Sequence, residues 1–219
     1  ATIEKELAAA REAQRLIMPP DEGQVGGIRY AMRMRSGRYV AGDLFDVIDL
    51  GTGRVAVLLG DVAGKGIGAA ILMATAQTHL NASLRVLDDP AEAVADVNRY
   101  LCSHVAQNKF ISLWLGVFEP ATRRMSFVDA GHGHWLVASG RSGARNIRRV
   151  DAVGGLPLGI DADYRYQTEV LILEPNDRLV VFSDGVVEQP SPDGAMFGLE
   201  RAISALEPGD SESDDVRRL

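Results

Sequence analysis

Three aspartates stand next to a glycine at places where an apolar stretch of the chain begins or ends. They are Asp43 after Gly42, Asp61 after Gly60, and Asp184 before Gly185. An aspartate beside a glycine most often marks a turn, so each pair taken alone favours a loop. An aspartate at the tip of a buried strand is costly unless something pairs with it, so the three together favour a site.

Three converging carboxylates could bind a hard divalent cation. Like charges that lie close together cannot all stay ionised without a cation. Mg²⁺ and Mn²⁺ take oxygen ligands from carboxylates, carbonyls and water. Two such ions about 4 Å apart can bind a phosphate ester and activate water. The spacing therefore indicates a metal-dependent phosphoryl-hydrolase site, and simple turns at the three positions are the alternative.

Two other motifs suggest different chemistry and fit it less well. The stretch GDVAGKG (60–66) resembles a phosphate-binding loop, but Leu59 stands where that pattern needs glycine, and Gly66 stands where it needs serine or threonine. Cys102 and His104 fall two residues apart in a helical pattern, so they do not face each other. A cysteine nucleophile is therefore not expected there.

The stretch GHGH (131–134) could place His132 and His134 on a zinc ion, yet no third ligand is near in the sequence. The favoured alternative is a glycine-supported turn in which His132 is hydrogen-bonded to the backbone. Three arginines before Asp43 either contact a substrate phosphate or, as we favour, lie on a strand surface. They are Arg33, Arg35 and Arg38.

The composition fits one globular domain with a sizeable core, since 46% of the 219 residues are hydrophobic and 24% are charged. A net charge of −7 argues against a nucleic-acid-binding protein. The single cysteine, Cys102, gives no internal disulfide framework and suits a reducing, cytoplasmic compartment. No run of about 18 apolar residues appears, so no membrane insertion is expected.

The order of elements predicts an α+β fold with antiparallel sheets. Apolar residues at helical spacing predict a helix at 2–18, which two prolines end. Two consecutive helices, at about 66–87 and 90–107, separate groups of strands joined by short turns. Strands are predicted at 28–35, 43–50, 54–61, 110–120, 123–131, 134–139, 144–150, 166–175 and 178–185, and a last helix at about 199–206.

Several stretches of the chain resemble the bacterial PPM-type (phosphatase 2C-like) serine/threonine phosphatases of the stage II sporulation protein E and sigma-B regulator class. In the family's order, the stretches are AGDLFD (41–46), GDVAGKGIGAAILMA (60–74), DAGHGHWLV (129–137), GGLPLGI (154–160) and FSDGVVEQPSPDGAMFG (182–198). The segment AREAQRLIMPP (10–20) also resembles the helix that precedes the family's domain. On this resemblance, residues 1–20 form a linker or regulatory helix and residues 21–219 form the phosphatase domain.

The resemblance implies a four-layer α-β-β-α sandwich, in which two antiparallel sheets are flanked by helices. It implies an enzyme that removes phosphate from phosphoserine or phosphothreonine, usually on a STAS-type anti-sigma-factor antagonist in a stress-response pathway. A sensor or receiver domain usually precedes such a domain. The helix at 2–18 either pairs with its copy in a homodimer or packs on its own domain.

The resemblance also implies roles for individual residues. Asp61 would bridge two Mn²⁺ or Mg²⁺ ions, and the Val62 carbonyl would add a ligand to one of them. Asp184 would bind the other ion. Asp43 would hold a water ligand or complete the ligand set. Water would be the nucleophile, so no covalent enzyme intermediate is needed.

The end of the chain departs from the family's pattern. The family ends with an Asp-Asp-hydrophobic-Thr motif that opens a final strand, and an aspartate of that motif completes a metal site. Here Arg217 follows Asp214-Asp215-Val216, so the resemblance implies a domain truncated before its last helix and strand. The alternative function is therefore a catalytically silent module that binds a partner in a sigma-factor pathway.

Overall fold

The structure is a computed structural model of the chain, and it describes residues 2–34, 40–64, 66–105, 109–139, 147–150, 152–190, 194–206 and 211–219. The helices are α1 (Thr2–Ile17), α2 (Ile67–Leu84), α3 (Pro90–His104), α4 (Asp184–Val187), α5 (Leu199–Leu206) and α6 (Glu212–Arg218). The strands are β1 (Glu22–Val25), β2 (Ile28–Ala31), β3 (Leu44–Asp49), β4 (Val55–Val62), β5 (Ile111–Glu119), β6 (Arg124–Ala130), β7 (Trp135–Ala138), β8 (Ile147–Arg148), β9 (Glu169–Ile172) and β10 (Arg178–Val181). Among these helices, none is both long enough and apolar enough to cross a membrane.

Five antiparallel strands form the main sheet, in the order β3-β4-β5-β6-β9. Strands β3 and β4 make a hairpin, in which Leu44 lies opposite Gly60 and Asp49 lies opposite Val55. The central strands carry buried apolar side chains on both faces. Both faces of the sheet must therefore be covered by other layers.

Helices α2 and α3 cover one face of the main sheet, and their buried apolar side chains pack on β4 and β5. Helix α3 has a conventional start, with Pro90 at its first position and the Asp89 carboxylate accepting a hydrogen bond from the Ala91 N–H at 3.0 Å. Helix α2 follows Gly66, which provides no side-chain cap. The start of α2 is therefore set by its packing on the sheet and by the turn that precedes it.

A three-stranded sheet, in the order β10-β7-β8, packs on the other face of the main sheet. Trp135 of β7 contacts Trp114 and Phe127 of the main sheet, with ring centroids 5.6 and 4.9 Å apart. On the outer face of β7, Leu136 packs in one apolar cluster with Leu206 of α5. The layers therefore run helices, sheet, sheet, helices, and the predicted α+β sandwich is confirmed.

Helix α1 packs on the domain. Gln14 is buried, and its side-chain amide donates to the Ala41 carbonyl at 2.7 Å and accepts from the Ala41 N–H at 3.0 Å. Gln77 of α2 donates to the Ile17 carbonyl at 2.9 Å. These bonds tie α1 to the segment before β3 and to α2. The role of residues 1–20 as a linker or dimer helix stays a prediction.

Some elements differ from those expected from the sequence. The hairpin of β1 and β2 was predicted only in its second strand, because the glycines around β1 weaken its strand pattern. The strand predicted at 178–185 ends at Val181, and Asp184 opens the short helix α4. Of the strand predicted at 144–150, the structure describes residues 147–150 and places β8 within them.

The chain end forms helix α6, which the sequence did not predict. Asp215 is buried there, and Arg178 of β10 donates to its carboxylate through Nε at 2.6 Å. In the Asp214-Asp215-Val216 motif, Asp215 thus forms an ion pair with Arg178. The side chain of Asp214 lies outside the described residues.

Candidate metal centre

Asp43 and Asp61 meet at one end of the β3–β4 hairpin. Leu44 of β3 lies opposite Gly60 of β4. Asp43 precedes Leu44 and Asp61 follows Gly60, so the antiparallel pairing brings Asp43 and Asp61 side by side. The charge of Asp61 opposes ionisation of Asp43, so each carboxyl lies within the electrostatic reach of the other.

Burial and the charge of Asp184 raise the pKa of both side chains. Burial is the main cause for Asp43, and together with Asp61 and the Asp184 charge it raises the pKa of Asp43 to about 6. Burial also raises the pKa of Asp61, with the Asp184 charge as the second cause. A bound divalent cation would reverse this effect, because it favours the ionised form of each carboxyl.

Asp184 joins this acidic cluster from the second sheet. Strand β10 ends at Val181, and α4 begins at Asp184, so the start of a helix presents the side chain. Asp184 is exposed, yet its charge raises the pKa of both Asp43 and Asp61. The structure thus brings together the three aspartates that the sequence indicated, and the side at Asp184 is open to solvent.

Close packing at Gly42 places a main-chain carbonyl beside the carboxylates. A Cβ built on Gly42 would lie 3.3 Å from the Val62 carbonyl oxygen and 3.6 Å from Asp61 Oδ1. Both oxygens therefore face the same small space, next to the backbone of Asp43. A side chain at position 42 would crowd that space, which explains the glycine.

The turn after Val62 leads from the acidic cluster into α2. Gly64 has a φ of 111° and Gly66 a φ of 89°, which side chains rarely tolerate. Gly68 lies inside α2 and needs no special backbone conformation. Lys65, between Gly64 and Gly66, lies outside the described residues.

The donor set fits a hard divalent cation. Carboxylate and carbonyl oxygens are the ligands that Mg²⁺ and Mn²⁺ prefer, and neighbouring carboxyls with raised pKa values lack a counter-charge. In the part of the chain that the structure describes, no three His, Cys, Asp or Glu side chains already stand around a common point at ligand distance. Water ligands would therefore complete the ligand set of a cation held there.

Asp46 and Gln77 make a contact that the sequence did not reveal. The Asp46 carboxylate, on β3, accepts from Gln77 Nε2 of α2 at 2.9 Å and from the Val47 N–H at 2.8 Å. Burial raises the pKa of Asp46. The bond ties α2 to the strand that follows Asp43. In the sequence, the only indication of this contact is the stretch AGDLFD (41–46), which contains both Asp43 and Asp46.

The GHGH stretch forms the predicted turn. The buried Asp129 carboxylate accepts from the N–H of His132 at 2.7 Å, from the N–H of Gly133 at 3.0 Å and from Trp135 Nε1 at 3.1 Å. His132 is also buried, and its Nε2 lies 3.0 Å from the Phe182 carbonyl. We assign the proton to Nε2 because a carbonyl only accepts. Burial lowers the pKa of His132, which favours the neutral ring.

The remaining candidates from the sequence take no part in the described cluster. Cys102 and His104 make separate hydrogen bonds within α3, as expected for residues two apart on a helix. Arg33 is exposed just after β2. Arg35 and Arg38 lie outside the described residues.

Comparisons with known proteins place the chain among bacterial phosphatase domains. The family model described as stage II sporulation protein E (SpoIIE) matches residues 51–219. Phosphoserine phosphatase RsbU of Bacillus subtilis is 27% identical over an alignment of 197 residues that covers 88% of this chain and 56% of that protein. Protein IcfG of Synechocystis sp. is 24% identical over an alignment of 234 residues that covers 92% of this chain and 35% of that protein. The chain thus spans about a third to just over half of the length of these relatives.

The fold has a counterpart among solved structures. The SiaA-PP2C domain of Pseudomonas aeruginosa superposes with a TM-score of 0.77 and 19% sequence identity. The match covers 99% of this chain and 86% of that chain. The described layers and sheet order therefore form a PP2C-type domain.

Proposed function

The chain belongs to the stage II sporulation protein E family, and we propose that it is the catalytic domain of a protein serine/threonine phosphatase that depends on Mn²⁺ or Mg²⁺. One observation carries the proposal. The hairpin register holds Asp43 beside Asp61, the charge of Asp184 acts on both, and the Val62 carbonyl faces the same space as Asp61 Oδ1. The relative named phosphoserine phosphatase RsbU supports the reaction class.

Each residue of the cluster has a separate role in this proposal. Asp61, the Val62 carbonyl and Asp184 would hold the cations, with Asp61 contributing to both. Asp43 would hold a water ligand or complete the ligand set. Bound cations would supply positive charge to a phosphate ester and lower the pKa of water.

The chain itself prepares the centre for a cation and a substrate. The hairpin register holds Asp43 beside Asp61. A bound cation would favour the ionised form of both carboxyls, so cation binding would strengthen as the pH rises through the raised pKa of Asp43. The exposed position of Asp184 leaves an open side for a phosphorylated side chain.

We propose that the substrate is a phosphoserine or phosphothreonine on a regulatory protein, in particular a STAS-type anti-sigma-factor antagonist. The family match and the relative RsbU support this substrate class. Control by an upstream sensor or receiver domain, and dimerisation through α1, belong to the same proposal. Action on a regulator inside the cytoplasm follows from that pathway.

The test is hydrolysis of p-nitrophenyl phosphate and of a phosphoserine peptide in a Mn²⁺ titration, with Asp61→Asn compared with the unaltered chain. We expect Asp61→Asn to lower the rate roughly 1000-fold, because cation-dependent charge stabilisation contributes several kcal/mol. Asp88→Asn is the matched control. Its side chain is 95% exposed, and it lies beyond the far end of α2, whose 18 residues span about 27 Å.

Two outcomes would contradict the proposal. Equal rates in the Asp61→Asn and Asp88→Asn variants would remove the cation centre from the reaction. Absence of hydrolysis in the unaltered chain, together with tight binding of a phosphorylated STAS protein, would favour the partner-binding module instead.

A further inference from the structure

Lys109 lies just before β5 and contacts the turn that follows the candidate metal centre. Its Nζ donates a hydrogen bond to the Ala63 carbonyl at 3.2 Å. The Ala63 N–H donates to the Phe110 carbonyl at 2.8 Å. Two consecutive residues thus hold both polar groups of the Ala63 backbone, and Ala63 directly follows Val62.

Gly64 shows how closely the ammonium group packs on this turn. A Cβ built on Gly64 would collide with Lys109 Nζ. Gly64 also has a φ of 111°, so a side chain there would be strained as well as crowded. The turn is therefore shaped to receive the ammonium group of Lys109.

The segment that carries Lys109 is itself anchored to α3. The fully buried Asn98 accepts from the Gly159 N–H at 2.8 Å and donates to the Asp161 carbonyl at 2.7 Å. Gly159 packs on the backbone of Lys109, since a Cβ built on Gly159 would lie 3.0 Å from the Lys109 carbonyl oxygen. A continuous set of contacts therefore links the core of α3 to the turn after Val62.

We propose that Lys109 is a positioning residue for the candidate metal centre. By holding the turn at Ala63 and Gly64, it fixes the Val62 carbonyl and the Asp61 carboxylate in the arrangement that a cation needs. An ammonium group has no lone pair for a metal, so its effect is exerted through the turn. This inference rests on the proposed function.

The sign of the effect separates positioning from simple electrostatics. An ammonium group near a cation site repels the cation, so loss of its charge alone would strengthen cation binding. Loss of a residue that orients metal ligands weakens binding, typically by about 10- to 100-fold. Weaker binding without Lys109 is therefore the specific signature of positioning.

The experiment is calorimetric titration of the chain with Mn²⁺, comparing Lys109→Met with the unaltered protein. Methionine keeps most of the side-chain length and removes the donor and the charge. We expect the dissociation constant for Mn²⁺ to rise at least about tenfold. The matched control is Lys5→Met, the same change on the exposed face of α1. It should leave the dissociation constant for Mn²⁺ unchanged.

A second measurement separates weaker Mn²⁺ binding from a general loss of stability in the Lys109→Met variant. Mn²⁺ that binds the folded chain raises the unfolding temperature, and the rise grows with the logarithm of the ratio of Mn²⁺ concentration to dissociation constant. The rise is therefore measured for each variant against its own metal-free form. A rise as large in Lys109→Met as in the unaltered chain, or an unchanged or lower dissociation constant, would overturn this inference alone. Absence of Mn²⁺ binding by the unaltered chain would overturn the proposed function and this inference together.

Discussion

Asp129 and Asp43 are both aspartates near glycines, but different groups face their carboxylates. Asp129 is buried and accepts hydrogen bonds from the main chain of His132 and Gly133 and from the indole of Trp135. Asp43 is half-buried, and the neighbouring carboxyl of Asp61 opposes its ionisation. The same residue type therefore meets hydrogen-bond donors in one place and a like charge in the other.

This difference separates a structural carboxylate from one that needs a ligand. A buried carboxylate that N–H groups satisfy stabilises the turn around it. Buried carboxylates that face each other reduce the free energy of unfolding until a cation neutralises them. The contrast between Asp129 and the pair of Asp43 and Asp61 can be tested by changing each side in turn.

The largest change in stability is expected at Asp129. Asp129→Ala leaves three donors without their acceptor, including the buried indole of Trp135, and should lower the free energy of unfolding by about 3 kcal/mol. Urea unfolding measures the loss. The control Asp88→Ala removes an exposed ion pair with Arg54 and should change the free energy of unfolding by less than about 1 kcal/mol. If both variants lose the same free energy of unfolding, Asp129 does not have the structural role assigned to it.

A change of opposite sign is expected at Asp43. At pH 7, without a cation, the folded protein opposes ionisation of Asp43, whose pKa is raised to about 6. Asp43→Asn removes that ionisable group and keeps a side chain that can donate to Asp61. Urea unfolding in EDTA should show a gain on the order of 1–2 kcal/mol. A loss of stability in Asp43→Asn would show that the pair is structural, like Asp129.

A smaller effect, on pH dependence, is expected at His132. Burial lowers its pKa, so below the ordinary value of about 6.5 the unfolded chain binds more protons at His132 than the folded chain. The stability that the neutral ring contributes is therefore full above pH 6.5 and is lost as the pH falls below it.

The variant His132→Gln tests this dependence, because glutamine can still donate to the Phe182 carbonyl. Between pH 7 and 5.5 the unaltered protein should lose up to about 1 kcal/mol more than His132→Gln. Urea unfolding at each pH gives the two curves. Parallel curves would mean that the protonation of His132 does not differ between the folded and unfolded states.

The acidic cluster could be predicted from the sequence because its signals are local. Asp43 and Asp61 each follow a glycine at the edge of an apolar strand, and the hairpin turn at 51–53 sets their register. Asp184 was predicted to belong to the cluster, but at the end of a strand rather than at the start of α4. Strand β10 is apolar up to Val181, so the hydrophobic pattern does not indicate that the strand ends there and that a helix begins at Asp184.

The supporting contacts could not be predicted, because they join residues far apart in the chain. Lys109 meets Ala63 across 46 positions, and Gln77 meets Asp46 across 31. A lysine before a strand looks like any exposed charge, and a glutamine in an apolar helix gives no periodic signal. Such contacts depend on how α2 and α3 pack on the sheet, which tertiary structure alone decides.

The most direct test of the metal centre is a crystal of the chain grown or soaked with Mn²⁺ and measured at the manganese absorption edge. We expect an anomalous difference peak within about 2.3 Å of the Asp61 carboxylate, with the Val62 carbonyl and Asp184 among its neighbours. If a crystal saturated with Mn²⁺ shows anomalous difference peaks only at other places, for example at His132 and His134, the result would contradict the proposed metal centre.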